Sequence, residues 1–429
     1  MDAARSQFMR SKWMFTSLIL ILLNPSSGQA QLQIGPGDWP GWRGTARTGV
    51  SAETGLLKEW PKDGPKLLWK ATGLGGGYST PAVAGGRIFV MGSRDNEEYL
   101  LALNVQDGKI LWSTKIGAVG ENEGPNYPGP RATPTVEADA LYTLGSDGDL
   151  VCIDPMNGKI RWQKNLTREL EGNRGIWAYC ESPLVDGDVL ICTPGGTVAT
   201  MLAMNKKDGT IIWKAVVEGG NQAGYASAIA AEVDHVKQYV QFLGSGDVSE
   251  AAADGRFLWR YNKNVGGQSC GTPIFYDGCI FTSAGGQGAS GGDALLRLNP
   301  DGQRVQPKEV YLVHAMNNHH GGVVRIGDYL YGTGGAALVC MDFKTGKVMW
   351  KDRGVGKGSL VAADGHLYVR NEQGTVALVE ATTAAYREKG RFRQPQRSRF
   401  PAFQHPVVAG GRLYLRDEDM LFCYDVKAP

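Results

Sequence analysis

Short apolar runs separated by glycine- and aspartate-rich turns recur along most of this chain. The clearest unit is residues 131–162, which alternates apolar runs with turns at residues 146–149 and 157–158. Asn-Gly between apolar runs favours a hairpin turn, because both turn positions need positive φ. The unit therefore predicts three β-strands and the start of a fourth.

Eight such units follow one another when the chain is aligned on the residue that opens the first strong strand of each. These anchor residues are Pro81, Pro134, Pro183, Ala228, Pro273, Gly322, Leu360 and Pro406. The steps between them are 38 to 53 residues, and a period in the forties with four strands per unit is typical of a β-propeller. We predict an all-β, eight-bladed β-propeller of four-stranded antiparallel blades, because a single sheet cannot bury both of its faces.

A second marker recurs near the end of each unit. An Asx residue stands eight positions before a tryptophan, with a glycine four before it, in the units ending at Trp112, Trp162, Trp213 and Trp350. We interpret this as an Asx turn, a glycine at positive φ, and a tryptophan packed on the neighbouring blade. The last unit lacks this ending, so we predict that the apolar run 66–69 completes it and closes the ring. Residues 38–50 (DWPGWRGTARTGV) are expected outside the ring, with Trp39 and Trp42 packed on it.

The first thirty residues have the composition of an export signal. Three basic residues precede an apolar run at residues 13–23, and Gly28 and Ala30 are small residues suited to a cleavage site. The predicted organisation is therefore a signal peptide at 1–30 and one propeller domain at 31–429, exported to the periplasm or the extracellular space. The alternative is an uncleaved membrane anchor, although the apolar run is short for a span.

Composition and charge narrow the choice of partners. The chain has 429 residues, and 60 are glycine, which suits an all-β protein with many tight turns. Residues 1–30 hold three basic and one acidic residue, so 42 of each sign remain in the mature chain. This balance argues against a nucleic-acid partner, which needs a basic face. No other long apolar segment predicts a transmembrane span in the mature chain.

The repeat also indicates where a binding site would lie. Residues three positions before the anchors differ strongly in chemistry and should ring one mouth of the central channel: Tyr78, Arg131, Cys180, Tyr225, Cys270, His319, Lys357 and Phe403. Two long loops, residues 121–131 and 171–181, lead into this mouth and suit a polar or sugar-like ligand, or a peptide. We predict a ligand site formed by Tyr78, Arg131, Glu181, Tyr225, His319 and Lys357. The alternative is a rim and linkers without a ligand.

The candidates for metal binding and catalysis are few. His314, His319 and His320 lie within seven residues, but neighbours in a strand point to opposite faces. His319 and His320 are therefore not expected to share an ion, and no metal site is predicted. No Ser/His/Asp set with a supporting motif is visible, so no catalytic residue is identified.

The Asx-x3-Gly-x3-Trp spacing, the strands GGRIFV and GGRLYL and the start DWPGWRG resemble the secreted PQQ-repeat (quinoprotein-like) β-propellers. This family includes quinoprotein alcohol dehydrogenases and the outer-membrane assembly scaffold BamB. In the dehydrogenases the resemblance implies PQQ over the channel, held by calcium, a stacked tryptophan and a disulfide between adjacent cysteines. This chain has seven cysteines but no adjacent pair, so no cofactor is expected.

These observations lead to one functional expectation and two alternatives. We expect an exported, non-catalytic binding or scaffold protein for a protein, peptide or glycan at the channel mouth. The first alternative is a PQQ- and calcium-dependent oxidoreductase acting on alcohols or sugars, with an aromatic floor such as Trp177. The second alternative is a BamB-like outer-membrane assembly scaffold.

Overall fold

The computed structural model describes residues 31–121, 127–265, 268–286 and 291–429. Residues 1–30, on which the predicted export signal falls, lie outside the described residues. Gln31–Pro429 forms one compact unit. Within the described part of the chain, no helix has both the length and the apolar character needed to cross a membrane.

The first half of the chain forms the start of the ring. Strands β1 (Val50–Ser51) and β2 (Lys66–Ala71) come first. Blade 1 comprises β3 (Ala82–Ala84), β4 (Arg87–Arg94), β5 (Glu97–Asn104) and β6 (Ile110–Ala118). Blade 2 comprises β7 (Thr135–Val136), β8 (Leu141–Leu144), β9 (Asp149–Ile153) and β10 (Ile160–Asn165), followed by helix α1 (Leu166–Leu170). Blade 3 comprises β11 (Leu184–Asp186), β12 (Val189–Cys192), β13 (Met201–Asn205) and β14 (Ile211–Ala215). Blade 4 comprises β15 (Ile229–Val233), β16 (Val236–Leu243), β17 (Gly246–Ala251) and β18 (Phe257–Tyr261).

The second half completes it. Blade 5 comprises β19 (Ile274–Tyr276), β20 (Cys279–Ser283), β21 (Asp293–Asp301) and β22 (Arg304–Val313). Blade 6 comprises β23 (Asn318–Ile326), β24 (Tyr329–Gly334), β25 (Ala337–Asp342) and β26 (Val348–Asp352). Blade 7 comprises β27 (Gly358–Ala363), β28 (His366–Asn371), β29 (Thr375–Glu380) and β30 (Glu388–Arg393). Blade 8 comprises β31 (Val407–Ala409), β32 (Arg412–Asp417), β33 (Met420–Asp425) and the early strand β2.

The described residues thus form eight sheets, and consecutive strands in every blade pair antiparallel. This confirms the predicted all-β, eight-bladed propeller of four-stranded antiparallel blades. In blade 8, β2 is the outer strand and pairs antiparallel with β33, with Lys66 opposite Asp425. Blade 7 gains a fifth strand, because β1 pairs in parallel with β27.

The hydrophobic core lies between the blades. Each apolar cluster combines buried residues of adjacent blades, as Val324 and Tyr331 of blade 6 do with Leu367 and Val369 of blade 7. Similar clusters join blades 3 and 4, blades 4 and 5, and blades 5 and 6. A β-sheet becomes stable when its apolar faces are covered, so the stacking of blades supplies what a single blade lacks.

Tryptophans in the fourth strands of blades 1, 2, 3, 6 and 8 link each of these blades to the next, whereas the Trp259 indole of blade 4 donates to Gln238 of its own blade. The indole Nε1 of Trp112 donates to the Pro155 carbonyl of blade 2, and that of Trp162 donates to the Lys206 carbonyl of blade 3. Trp213 and Trp69 make the equivalent bonds to the carbonyls of Ala252 and Val105. These contacts, which we call the tryptophan latch, place the indoles as the sequence predicts.

The turn before each tryptophan differs from a two-residue hairpin. Gly158 has a φ of 76°, but Asn157 does not share this left-handed conformation. The Gly158 amide donates to the Asp154 carbonyl at 2.9 Å, which closes a longer turn, and the Asp154 side chain accepts from the Met156 amide at 2.8 Å. The Asx side chain thus adds a hydrogen bond to this turn, and only the glycine adopts positive φ.

Residues 38–50 do not lie outside the ring as expected, although Trp39 and Trp42 do pack on it. Residues 39–51, here called the axial segment, hydrogen bond at or just before the first strand of every blade. The bonds join Trp39 to Val83, Pro40 to Val136, Trp42 to Thr272, Arg43 to Val323, Arg47 to Pro183 and Ala228, Gly49 to Ala362, and Ser51 to Val408. One short segment can reach all eight first strands only where they converge, so the axial segment lies across one end of the propeller axis.

Candidate functional site

A cavity of about 180 Å³ lies at the convergence of the first strands. Its wall comes from the axial segment, from the first strands and from the loops that lead into them. The lining residues are Trp42, Tyr78, Thr80, Tyr127, Arg131, Trp177, Cys180, Tyr225, Ser227, Gln268, Cys270, His319, His320, Phe403 and His405. The wall thus combines six aromatic residues with several polar groups, which is the usual make-up of a small-ligand site.

The repeat register brings together seven of the eight residues that stand three positions before the anchors. Four residues of the predicted site, Tyr78, Arg131, Tyr225 and His319, line this cavity. They come from different blades, and they converge because each occupies the same position in its own repeat. Of the loop at 121–131, residues 122–126 lie outside the described residues, while Tyr127 and Arg131 reach the cavity wall.

Arg131 is held in place by main-chain carbonyls. Its Nη1 donates to the Gly129 carbonyl at 2.8 Å, and its Nη2 donates to the Tyr127 carbonyl at 2.5 Å. Its Cζ atom lies 5.6 Å from the centre of the Tyr78 ring, which is within range of a cation–π contact. No carboxylate of the described residues forms an ion pair with Arg131, so its charge is available to a ligand.

Aromatic rings form a continuous part of the wall. Tyr127 stacks on Trp177 with ring centres 6.2 Å apart and planes inclined by 19°. Phe403 packs against Tyr78 at 5.3 Å and against the edge of Tyr127 at 5.5 Å. These rings support one another, so their faces are fixed before any ligand binds.

A histidine pair continues the wall beyond Phe403, whose ring centre lies 4.6 Å from that of His320. The rings of His319 and His320 lie 5.1 Å apart, and His320 Nε2 lies 2.8 Å from Glu372 Oε1. Lys357 Nζ lies 2.9 Å from the same oxygen. Lys357 therefore does not line the cavity, but stands behind His320 as the ion-pair partner of Glu372.

Burial and hydrogen bonding together determine the protonation states of His319, His320 and Glu372. Burial lowers the pKa of His319 to about 3, and the neighbouring His320 acts in the same direction. Burial also lowers the pKa of His320, although the hydrogen bond with Glu372 opposes the shift. For Glu372 burial acts to raise the pKa, but the bonds from His320 and Lys357 outweigh it and lower the pKa to about 2. At neutral pH both imidazoles are neutral and Glu372 is ionised.

Strand alternation does not separate the side chains of His319 and His320 in the structure. Alternation of side chains requires a regular ladder, but the pairing of β23 with β24 is interrupted between Asn318 and Val323. His319 and His320 lie in this interruption, and both line the same cavity. His314, the third histidine considered, is separate, with its Nδ1 2.9 Å from the Gly291 carbonyl.

Glu181 occupies a different place from the rest of the predicted site. Its carboxylate is buried and accepts from the Thr193 amide at 2.7 Å and the Thr193 hydroxyl at 3.0 Å. Burial raises its pKa to about 7, while the bonds from Thr193 and the charge of Arg47 act in the opposite direction. Glu181 is not among the lining residues, and its contacts serve the packing beneath the cavity.

Four residues at or beside the cavity were not predicted as site residues from the sequence. Trp42 belongs to the axial segment, Tyr127 and Gln268 stand in loops outside the repeat register, and Glu372 follows the second strand of blade 7. Of these, only Tyr127 had a signal in the sequence, because it lies in the 121–131 loop that was expected to lead into the mouth.

The fold and this cavity define a class: eight-bladed propellers with an aromatic-walled site on the axis. The family described as "Outer membrane protein assembly factor BamB" matches residues 29–178, 125–352, 291–386 and 338–426, and the chain belongs to this PQQ-repeat family.

The individual relatives share only low sequence identity with this chain. BamB of Shigella dysenteriae serotype 1 is 25% identical over 193 residues, which are 42% of this chain and 47% of that protein. The chain thus spans about half the length of this curated relative. The crystal structure of BamB from Moraxella catarrhalis aligns with a TM-score of 0.56 at 15% identity, over 82% of this chain and 95% of that one. Quinohemoprotein alcohol dehydrogenase from Comamonas testosteroni aligns with a TM-score of 0.62 at 12% identity, over 92% and 81%. At these identities the structural likeness shows the fold alone.

Proposed function

We propose that this protein is an exported binding protein, working in the periplasm or the extracellular space, that holds part of a glycan, peptide or protein partner in the axial cavity. The observation that carries the proposal is the convergence of chemically diverse residues, from equivalent positions of different blades, on one cavity. A repeat kept only for packing needs the same residue at each such position. Here the positions hold tyrosine, arginine, cysteine, histidine and phenylalanine.

The size and chemistry of the cavity restrict what it accepts. A volume of about 180 Å³ is on the scale of one sugar ring or one large side chain. The fixed faces of Trp177 and Tyr127 suit the apolar face of such a group, while Arg131 and Gln268 suit its oxygen atoms. A larger partner would therefore insert one group into the cavity and rest its remainder on the surrounding loops.

Two substitutions in the wall test this function. Arg131→Ala and Tyr225→Ala are each expected to weaken binding at least tenfold, because each removes a fixed wall group. Binding would be measured by calorimetry on a panel of oligosaccharides and peptides, and followed through the fluorescence of Trp42 and Trp177. The matched control is Arg325→Ala, since Arg325 also stands over a tyrosine, with its Cζ atom 3.5 Å from the centre of the Tyr276 ring, but outside the cavity. A ligand that binds both wall variants as tightly as the wild type would refute the assignment.

The ligand atoms beside the cavity do not suit the calcium ion that the PQQ alternative requires. Calcium takes six to eight oxygen ligands. The group beside the cavity that could hold an ion offers two imidazole nitrogens and one carboxylate, among the residues described. This set does not fit calcium, so we derive no reaction through PQQ. Calorimetric titration with PQQ, with and without Ca²⁺, discriminates the two functions: calcium-dependent binding would favour the oxidoreductase.

Membership of the BamB family favours the scaffold form of the proposal. The matched family is described as an assembly factor of the outer membrane, and an assembly factor acts by binding other proteins. A protein partner would then be the source of the group that enters the cavity. Peptides in the binding panel that compete with glycans for the cavity would support this form.

A further inference from the structure

His319, His320 and Glu372 form a compact group of potential metal ligands at the edge of the axial cavity. One ligand atom from each residue lies within 4.8 Å of those of the other two. Bonds of about 2 Å from nitrogen or oxygen to a transition metal place ligand atoms roughly 3–4 Å apart. Small side-chain rotations would therefore bring all three around one ion.

The hydrogen bonding of the two imidazoles provides a second, independent observation. The Nδ1 atoms of His319 and His320 are buried and have no hydrogen-bond partner among the described residues. An ion shared with Glu372 would take Nε2 of His320, which already faces Glu372 Oε1, so the unpartnered Nδ1 of His319 is the atom that bears on this site. Buried polar atoms are normally satisfied in native proteins, and a buried imidazole nitrogen without a partner beside these two residues points to something that binds there.

Lys357 is the competitor of any cation at this place. Its ammonium lies 2.9 Å from Glu372 Oε1 and balances the charge of that carboxylate. The Lys357 side chain is 32% exposed, so it can swing into solvent when an ion arrives. Only a cation with high intrinsic affinity for nitrogen ligands will displace it.

We propose that His319, His320 and Glu372 form a site for a first-row divalent transition metal such as Zn²⁺, Co²⁺ or Cu²⁺. Imidazole with carboxylate suits these ions, whereas calcium and magnesium prefer sets of oxygen atoms. Because both histidines line the axial cavity, an ion held here would keep a coordination position open towards that cavity. The site needs no glycan or peptide to form, so it stands independently of the proposed function.

The test uses tag-free protein freed of metal with a chelator. Calorimetry with Zn²⁺ and absorption spectroscopy with Co²⁺ are expected to show one saturable site per chain. His319→Gln and Glu372→Gln should each weaken Zn²⁺ binding by more than about tenfold, while Lys357→Met should tighten it several-fold. His314→Gln is the matched control and should bind as the wild type does.

Two results would overturn the proposal. One is the absence of saturable Zn²⁺ or Co²⁺ binding to the folded wild-type protein. The other is unchanged affinity in folded His319→Gln and Glu372→Gln. Should these variants fail to fold, electron paramagnetic resonance of Cu²⁺ bound to the wild type decides. Hyperfine splitting from two imidazole nitrogens supports the site, and its absence refutes it.

Discussion

Glu250 offers a quantitative test of how the interior of the propeller treats a charge. It lies on β17, fully buried, and neither carboxylate oxygen has a hydrogen-bond partner among the described residues. Burial raises its pKa from 4.5 to about 8, with the charge of Arg260 acting in the opposite direction. The isosteric change Glu250→Gln removes the ionisation and keeps the shape of the side chain.

The sign of the effect follows from proton linkage. Because the pKa of this acid is higher in the folded state, the folded protein keeps a proton that the unfolded chain has lost. Stability therefore falls as the pH rises from about 4.5 to about 8, and levels off above that range. A shift of this size corresponds to about 3–5 kcal/mol, at 1.36 kcal/mol per pKa unit, as an upper range for a buried group.

The assay is urea unfolding at a series of pH values, followed by tryptophan fluorescence. The gap in unfolding free energy between Glu250→Gln and wild type should widen in favour of the variant by about 3–5 kcal/mol between pH 5 and pH 9. Glu98, Glu181 and Asp247, whose pKa values burial raises to about 7, add the same slope to both proteins and cancel. The exposed substitution Glu218→Gln is the control. A gap that stays constant over this range would refute the reasoning.

Two further substitutions probe the joints of the ring, and thermal or urea unfolding measures both. Gly158→Ala should cost about 1–3 kcal/mol, because a Cβ at this φ of 76° would lie 2.7 Å from the Trp112 ring. Gly187→Ala is the control, because Gly187 has a φ of 60° but open space around it, so this variant suffers only the backbone strain. Equal losses of stability in the two variants would contradict a role for the tryptophan latch. Arg47→Met should cost about 2–4 kcal/mol, because it removes the donors to buried carbonyls that include those of Ser182 at 2.9 Å and Ala228 at 2.8 Å. The control is Arg256→Met, because Arg256 is exposed and lies directly before the outer strand of blade 4. Similar small losses of stability in both variants would show that the axial segment adds little to the stability of the protein.

The sequence allowed the ring to be predicted because its information is repeated. The Asx, glycine and tryptophan spacing recurs in several blades, so chance matches are suppressed and the strand register follows. From the same register the sequence alone predicts that Tyr78, Arg131, Tyr225 and His319 lie together, and in the structure all four line one cavity. Position within a repeat is thus a reliable guide to position around an axis.

The parts that escaped prediction depend on contacts that leave no pattern in the sequence. Arg43 and Arg47 donate to main-chain carbonyls, which every residue type possesses, so the inner strands carry no trace of the axial segment. The histidine pair depends on an interruption in the pairing of β23, and strand alternation cannot anticipate such a break. Glu372 reaches the histidines of blade 6 from a turn of the neighbouring blade 7.

The axial segment also constrains the order in which the protein can mature during synthesis. It is made early, yet Ser51 bonds to the carbonyl of Val408, 357 residues later. At about 5–20 residues per second, roughly 20–70 s pass before the ribosome supplies that partner. During this interval the partners of Trp39 in blade 1 and of Arg47 in blades 3 and 4 become available, while Ser51 still lacks its partner. The growing chain can stack blades one after another, but it cannot complete its axis until translation is nearly finished. Completion of the axis therefore depends on a late event, and chaperones that shield this segment would act before the last blade is made.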